Sequence, residues 1–471
     1  ASPAPACSNS RRPWFIGLRI YNHRRLQTAA RSLARFASAL QLADVPAVDV
    51  ERATQCLIDL VGVALLGSSF PWAQSARRYA EHYGAGGTSR VLGGSAARIS
   101  APLAALANGV AAHAFELDSL RRPGAGVHPG ASLVPVALAL GEELHSSGSD
   151  VLAAIVAGCE VMFRIGTASL HSSESLGFHA PGLTGPFGAA VVAGRLLHLD
   201  SERLCEALGI AGSLCGGVLA FAKAGNGAMV KRLHLGRAAE SGILAARLAQ
   251  SGFEGPDTIL EGGFGFLETY CSESDPALLT AGLGERWETR QLCIKRYPCH
   301  VTAHTPVESV RALRDEHRIA ADDVSAIRVR ASAKVVSHHA AHEAADVMAL
   351  QYSVPFCVAI ALVDDVDDPL AFGDRALGNP QVHALARKVV CETWPDAPSG
   401  WASNVRIALR DGRTLERDND DFLGTPTRPL SSAQLRAKFL RCAGGFAHAQ
   451  DLLEQLEAIA GAPDVATLPL A

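Results

Sequence analysis

Apolar residues recur at helical spacing through the first half of the chain, from about Ala47 to Gln250. Glu51–Leu66 shows this spacing and stops before a glycine, while Asp200 and Ser201 can cap the start of another apolar helix. Glycine and alanine are dense within these segments, and small residues allow helices to approach closely. The pattern predicts a tightly packed helical body rather than a sheet covered by helices.

Alternation of polar and apolar residues begins only after about Gln291. Val324–Ala331 and Asn404–Leu409 both alternate, and the second run is followed by Asp-Gly, a hairpin signal, and by a short run at Arg413–Glu416. Between and beyond these strands the sequence predicts helices at Met348–Val363, Gln381–Val390, Ala433–Arg441 and Asp451–Ala460.

The order of these elements predicts a mostly α fold in which a large all-helical domain carries an inserted, smaller α+β lid domain. We place the helical domain at residues 46–290 plus 430–471 and the lid at residues 291–429. Residues 1–45 differ from both, because they contain seven arginines and no acid before Asp44. This segment resembles either an organellar transit peptide or the disordered basic leader of an arginine-rich bacterial protein. We favour the leader, and with it a cytoplasmic location.

Composition narrows the choice of function further. The 471-residue chain has a net charge of −4 without an extended basic face, so we expect no nucleic-acid partner. Its most apolar stretches, Ala131–Leu140 and Leu204–Ala222, are too short or too interrupted to anchor it in a membrane. The 11 cysteines form no CxxC pair, which favours a reducing compartment without a structural metal. The histidine-rich run from His338 to Glu343 is interpreted as a solvated polar turn rather than a metal site.

Four stretches carry side chains that a helical core would not need. The first places His113, Glu116 and Asp118 after an apolar helix at Ala101–Ala112, and His128 follows ten residues later. His113 and Glu116 are three residues apart, so we expect them to share a helical face. Polar capping of a helix end is the alternative interpretation.

Two further stretches combine histidine and cations. His179 stands in a loop rich in glycine and proline just before an apolar helix, whose N-terminal amides favour an anion. Lys231 and His234 fall on one face of a later helix, with Arg232 beside them. Such cations within an apolar region are costly unless an anion compensates them, and a carboxylate substrate would do so. The alternatives are a turn histidine and a surface helix end.

The fourth stretch lies at the junction between the helical domain and the lid. It contains Lys295, Arg296 and Tyr297 before a proline, which bends the chain and can project polar side chains into an interdomain cleft. His300 and His304 follow on one side of the next helix. Without a third ligand nearby, we expect one of them to be buried and the other to act on a substrate rather than a metal.

Taken in order, these stretches resemble the MmgE/PrpD family, which includes 2-methylcitrate dehydratase, cis-aconitate decarboxylase and iminodisuccinate epimerase. The resemblance covers nearly the whole chain from about residue 46. The segments that match are His113-Ala-Phe-Glu-Leu-Asp, His128-Pro-Gly-Ala, Gly177-Phe-His-Ala-Pro-Gly-Leu-Thr-Gly, Lys231-Arg-Leu-His-Leu-Gly-Arg-Ala-Ala, Lys295-Arg-Tyr-Pro-Cys-His and Gln351-Tyr-Ser-Val-Pro-Phe.

The resemblance implies a homodimer with no metal or organic cofactor. It assigns catalysis to His179, Lys231, Lys295, His128 and Glu116. Contacts with the substrate are expected from His300, Arg232, His234, Arg296, Tyr297, Asp118 and His113. The chain departs from the family in three ways. Leu120 stands where some members have a threonine, and Arg121–Gly126 is a variant, rich in proline and glycine, of the loop that leads to His128. The aromatic hydroxyl that some lids contribute has no assigned counterpart.

We therefore expect a cofactor-independent lyase or isomerase that acts on a small di- or tricarboxylate through a carbanion next to a carboxylate. Dehydration of a 2-methylcitrate-like acid is placed first, before decarboxylation of cis-aconitate and epimerisation of an iminodisuccinate-like acid. A non-catalytic carboxylate-binding protein is the alternative. The chain has six lysines against 37 arginines, and two of those lysines fall in the matching motifs. Lys231→Ala and Lys295→Ala should abolish turnover, with Lys438 as a surface control.

Overall fold

A large helical body forms most of the molecule. The computed structural model describes residues 27–124, 126–222 and 229–470. The helices of the body before the lid are α1 (Ala29–Ala39), α2 (Ala47–Gly67), α3 (Pro71–Tyr83), α4 (Ala101–Ala112), α5 (Pro129–Leu144), α6 (Gly148–Ala168), α7 (Ala180–Leu196), α8 (Ser201–Ser213), α9 (Val230–Gln250) and α10 (Phe266–Tyr270). Short strands accompany them at β1 (Ala85–Ser89), β2 (Leu120–Arg121) and β3 (Leu292–Cys293).

Helix α9 lies at the centre of the body, where it packs against α7 and α4. The crossing with α4 is close because glycines meet there: a Cβ on Gly109 would lie 2.8 Å from the Cα of Gly236. Larger side chains would force the helices apart. This contact brings the first turn of α9, which carries Lys231 and Arg232, against the end of α4, which leads to His113.

Helix α6 (Gly148–Ala168) is long and apolar enough to cross a membrane by length and composition. Within the protein, 94% of its apolar window is buried. It packs against α7 and α5, so its composition is that of a core helix.

The lid is built on a second, separate apolar core. Its elements are α11 (His304–His317), β4 (Val324–Ala331), α12 (Ala333–His338), α13 (Val347–Tyr352), α14 (Val354–Val363), α15 (Asp374–Leu377), α16 (Pro380–Ala386), β5 (Val389–Thr393), β6 (Ser403–Leu409) and β7 (Thr414–Asn419). The sheet order is β5-β4-β6-β7, with β4 parallel to β5 and antiparallel to β6. These elements confirm the mostly α fold with a smaller α+β region.

Two predicted lid helices end or break earlier than the sequence indicated. The helix predicted at Gln381–Val390 ends at Ala386, and Val389 begins β5, where it pairs with Ile327 of β4. The helix predicted at Met348–Val363 breaks at Ser353, whose hydroxyl accepts a hydrogen bond from the amide of Phe356 and caps α14. In both cases tertiary pairing or a cap overrides helical spacing.

The chain returns to the body after the lid. Helix α17 (Ser432–Cys442) packs on α2, and α18 (Ala449–Glu457) packs beside it. At the other end, four residues of α1 are fully buried against the body, although this helix lies in the segment predicted as a disordered leader. Residues 1–26 of that segment lie outside the described residues.

The short ladder between β2 and β3 joins the two regions that carry the candidate site. Leu120 pairs with Cys293 and Arg121 pairs with Leu292 in antiparallel register. The segment that follows α4 therefore runs beside the segment that leads to Lys295. Residues almost 180 positions apart in sequence thus become neighbours at the junction of body and lid.

Candidate active site

The turn after α4 has an unusual backbone. The helix ends at Ala112 with His113 as its C-cap, and Glu116 adopts a left-handed conformation with φ of 56°. The prediction that His113 and Glu116 share a helical face is therefore wrong, because the helix has ended before either residue. A left-handed glutamate is sterically unfavourable unless its surroundings hold it there.

One buried carboxylate holds two imidazoles. Nδ1 of His113 lies 3.0 Å from both oxygens of Asp118, and Nδ1 of His128 lies 2.8 Å from one of them. Burial alone would raise the pKa of Asp118, but these two histidines hold it well below its usual range. An ionised Asp118 accepts hydrogen bonds, so both histidines donate to it from Nδ1. Asp118 is thus a positioning residue beneath the imidazoles.

The same three groups are also the one cluster in the described residues that could hold a metal ion, since their ligand atoms lie within 4.8 Å of one another. The hydrogen bonds from His113 and His128 occupy both oxygens of Asp118. Burial lowers the pKa of His113 to about 4, and Nε2 of His113 has no partner among the described residues. His128 differs, because 17% of its side chain is exposed.

A second pair of imidazoles lies beside the first. His179 stands just before the first residue of α7, as the sequence predicted, and its Nδ1 lies 3.0 Å from Nδ1 of His234 on α9. One of these nitrogens donates and the other accepts, so at least one ring is neutral. Burial, with Lys231 nearby, lowers the pKa of His179 well below its usual range. The ring centroids of His113 and His179 are 6.1 Å apart, which makes the four imidazoles one continuous row.

Two lysines enclose the carboxylate of Glu116. Lys231 forms an ion pair with it, and Lys295 lies 3.5 Å from its other oxygen while donating a 3.0 Å hydrogen bond to its backbone carbonyl. Burial opposes ionisation, but the two lysines lower the pKa of Glu116 well below its usual range. Glu116, Lys231 and Lys295 are only 2–3% exposed, so two cations and one anion are held in a nearly dry site.

Arg232 adds a third buried cation at this place. Its guanidinium lies 5.3 Å from the ring centroid of Trp72, and its Nε donates to the carbonyl of Ala114 at 3.4 Å. With Lys231 and Lys295 it is a third cation close enough to Glu116 to lower the pKa of that carboxylate. Cations gathered in a water-poor site suit an anionic substrate.

The lid closes the site with an aromatic group that the sequence left unassigned. His300 stacks on His339 with centroids 4.1 Å apart, and Tyr352 lies 5.0 Å from His300. The amine of Lys231 lies 5.3 Å from the centroid of Tyr352. Burial, with Glu116 nearby, raises the pKa of Tyr352 well above its usual value. Tyr352 belongs to the segment Gln351-Tyr-Ser-Val-Pro-Phe, which matches the family, so its place in that segment is the feature of the sequence that could have identified it.

Three side chains at this junction lie elsewhere than the sequence placed them. His339 was placed in a solvated turn, but it is buried behind His300 and bonds through Nδ1 to the carbonyl of Tyr352 at 3.0 Å. Arg296 and Tyr297 were expected to contact the substrate. Arg296 instead pairs with Asp367 at 2.7 Å, and Tyr297 is buried in the lid core. The reason is that successive residues of a bent, extended segment point to different sides, and Lys295 takes the side that faces Glu116.

Profiles of both domains of one family match the chain. The MmgE/PrpD N-terminal domain matches residues 31–279, and the MmgE/PrpD C-terminal domain matches residues 297–460. The chain belongs to the MmgE/PrpD family.

Relatives within the family are similar over most of their length. The cis-aconitate decarboxylase of Mus musculus is 29% identical over 435 residues, which cover 88% of this chain and 86% of the relative. That of Homo sapiens is 29% identical over 88% and 87%, and that of Aspergillus terreus is 30% identical over 88% and 88%. These relatives confirm an enzyme of the lyase type. They are mammalian and fungal, so they do not support the bacterial origin suggested by the arginine excess.

In this MmgE/PrpD enzyme the buried histidines should make stability depend on pH. Burial lowers the pKa of His339 to about 4, whereas an unfolded histidine takes up a proton near pH 6.5. Stability that is present above pH 6.5 is therefore lost as the pH falls toward 4, by on the order of 2 kcal/mol at pH 5 for one such group. Urea unfolding of the wild type and His339→Phe at pH 7.5 and 5.0 measures this. Phenylalanine keeps the stack and cannot titrate, so an identical pH dependence in both proteins would contradict the prediction.

Proposed function

We propose that this lyase decarboxylates cis-aconitate or a tricarboxylate of the same shape. The supporting observation is that Lys231, which with Lys295 holds the carboxylate of Glu116, lies close enough to His113 and His179 to lower the pKa of both, so that the cations adjoin the row of imidazoles. Decarboxylation needs cations for the carboxylates and one proton donor. The names of the relatives move decarboxylation ahead of dehydration, which the sequence alone had placed first.

The chemistry follows from the structure of the acid. In cis-aconitate one carboxylate is attached to a CH2 group, and this CH2 group is bonded to one carbon of the double bond. When the C–C bond between this carboxylate and the CH2 group breaks and CO2 leaves, the electron pair forms a new terminal CH2=C bond, and the pair of the old double bond moves to the far carbon, where the neighbouring carboxylate takes it up as an enediolate. One proton added at that carbon gives methylenesuccinate. Atoms and charge balance with one CO2 released and one proton consumed.

The residues divide into two roles. Lys231 and Lys295 bind the carboxylate on which the enediolate develops, and each placed cation contributes on the order of 3 kcal/mol in a water-poor site. His128 gives the proton from Nε2, because Asp118 holds its Nδ1 and stabilises the imidazolium. His179 remains neutral and orients the substrate by hydrogen bonding. Tyr352 and His300 close the site from the lid.

A panel of acids tests the proposal. The protein is incubated, with and without EDTA, with cis-aconitate, 2-methylcitrate and iminodisuccinate, and CO2 release, enoate absorbance and optical rotation are recorded. We expect CO2 from cis-aconitate that EDTA does not suppress. Dehydration or epimerisation without CO2 release would assign the protein another activity of the family. No reaction with any of the acids would refute the proposal that it is an active enzyme.

The alternative, a carboxylate-binding protein without turnover, makes a different prediction. It requires tight binding of citrate-like acids with no reaction, and His179→Ala would leave the affinity unchanged. Because His179 lies within the imidazole row and bonds to His234, we expect that variant to lower turnover instead. Isothermal titration with citrate alongside the panel separates the two cases.

The homodimer implied by the resemblance has a candidate surface. Val230, Leu233 and Leu244 lie on the outward face of α9 and are 39–44% exposed, with Val218 and Met229 beside its start. Exposed apolar side chains in such number often mark an interface. Light scattering should give a dimer for the wild type and a weaker dimer for Leu244→Glu, whereas Tyr83→Glu on α3 should behave as the wild type. A monomeric wild type would contradict the dimer. The cytoplasmic location stays a prediction.

A further inference from the structure

Lys438 was chosen from the sequence as a surface control, but the structure places it inside the protein. Only 10% of its side chain is exposed. It extends from α17 and forms an ion pair with Asp59 of α2, which is fully buried. Its amine also donates to the carbonyl of Lys295 at 2.7 Å and to that of Leu117 at 3.2 Å. All three ammonium donors therefore have an acceptor.

The two carbonyls belong to the two segments that carry the site. Leu117 lies between Glu116 and Asp118, and the other carbonyl is that of Lys295 itself. One ammonium group thus bridges the turn after α4 and the segment that follows β3 at the junction with the lid. The ladder between β2 and β3 joins these segments a few residues further on, so Lys438 fixes the end that reaches the active site.

The turn depends on such side chains because consecutive carbonyls receive their hydrogen bonds from other elements. Besides the carbonyl of Leu117, that of Glu116 accepts a hydrogen bond from the amine of Lys295 at 3.0 Å. The carbonyl of Phe115 accepts one from the side-chain amide of Gln351 at 3.3 Å. The carbonyl of Ala114 accepts from Arg232 at 3.4 Å. Three of the four donors are cations, which suits the negative end of α4. These contacts hold Glu116 in its left-handed conformation.

We infer that Asp59 and Lys438 form a positioning pair that holds the Glu116 turn and Lys295 in register for catalysis. Within the described part of the chain, neither residue contacts the imidazole row or the carboxylate of Glu116. Their effect on the reaction is transmitted through the backbone, and a displacement of about 1 Å in a catalytic group can cost on the order of 100-fold in rate. The role in turnover rests on the proposed lyase function, while the role in backbone geometry does not.

A charge-free double variant separates positioning from stability. Lys438→Met alone leaves Asp59 buried and unpaired, so the protein could fail to fold. Asp59→Leu combined with Lys438→Met removes both charges, and replacing a buried pair by apolar residues is often neutral for stability. We expect the double variant to melt within about 3 °C of the wild type. Its kcat for cis-aconitate should fall about 30-fold with KM changed by less than about threefold.

A matched control comes from another buried pair. Arg90 and Glu142 are 10% and 1% exposed, close to the values of Lys438 and Asp59. Glu142 lies at the end of α5 that is distant from His128, about 20 Å along the helix. Arg90→Met combined with Glu142→Leu should therefore keep kcat. Wild-type kcat in the Asp59/Lys438 double variant would overturn the inference, as would an equal loss in both double variants.

Crystal structures of the wild type and the Asp59/Lys438 double variant give a readout independent of turnover. We expect Glu116 to leave the left-handed region or the amine of Lys295 to lose its contact with the Glu116 carbonyl. If both stay in place, the inference is overturned even if turnover falls. If the wild type acts on no acid of the panel, the proposed function fails, and these structures still decide whether the pair positions the turn.

Discussion

Replacing Lys231 or Lys295 by methionine should lower kcat/KM for cis-aconitate by at least about 1,000-fold. Both amines lie at the carboxylate of Glu116 in a site that is almost closed to solvent. A cation in such a place stabilises the charge of an enediolate far better than one in water, because no solvent competes for it. Methionine has similar length and no charge, so the loss reports the charge rather than packing. Steady-state CO2 release measures it.

Lys231→Arg should not restore activity, because a planar guanidinium cannot occupy the space of an ammonium between Glu116 and Tyr352. Lys388 provides the control that Lys438 cannot, since its amine donates to the carbonyl of Val324 in the lid sheet, 2.6 Å away. Lys388→Met should keep turnover. Equal losses at Lys231, Lys295 and Lys388 would show that the motif assignment is wrong, and folding is checked by circular dichroism in each case.

The sequence predicted which motifs would meet better than how they would meet. The order of the motifs brought Glu116, His128, His179, Lys231 and Lys295 into one hypothesis, and the structure places all five in one cluster. The resemblance to the family supplied this hypothesis, and the stretches had already drawn notice because buried cations and histidines in apolar helices are costly and therefore rare. The family profiles then confirmed the resemblance that the motifs carried.

What the sequence could not supply was the direction of side chains outside regular helices. Spacing rules assume an unbroken helix, so they misplaced Glu116, which follows the end of α4. They also could not tell that Lys295 faces the site while Arg296 faces the lid. Lys438 was misjudged for a related reason, because its three acceptors come from positions 143 to 379 residues away in sequence.

Elements with a local sequence pattern were predicted correctly, whereas those that depend on distant pairing were not. Local alternation located β4 and β6 within a residue of their bounds, since both strands have one face on the lid core. Strand β5 was not predicted, and its first two residues were assigned to a helix, because its identity depends on parallel pairing with β4, which no local pattern reveals. Domain assembly through α17 and α2 likewise depends on contacts between the two ends of the chain.

The second large effect concerns the proton. His128→Gln should lower kcat by about 1,000-fold, because glutamine can hydrogen-bond to Asp118 but cannot deliver a proton to the enediolate. His128 is suited to this step by two features: its Nδ1 is held by Asp118 at 2.8 Å, and part of its ring is open to the space beside the buried cluster. Asp118→Asn should lower kcat by about 100-fold or more, because a neutral amide no longer stabilises the imidazolium. In deuterium oxide the wild-type product should carry one deuterium at the protonated carbon.

His113 offers a matched control for this assignment. Like His128, it bonds to Asp118 through its own Nδ1. Unlike His128, it is fully buried, and burial lowers its pKa to about 4. A group that stays neutral in this way is a poor acid near pH 7, so His113→Gln should reduce kcat only about tenfold through loss of packing and orientation. If His113→Gln costs as much as His128→Gln, the shared carboxylate rather than His128 is what matters. If His179→Gln costs the most, the proton comes from the start of α7, and the roles of the two imidazole pairs are reversed.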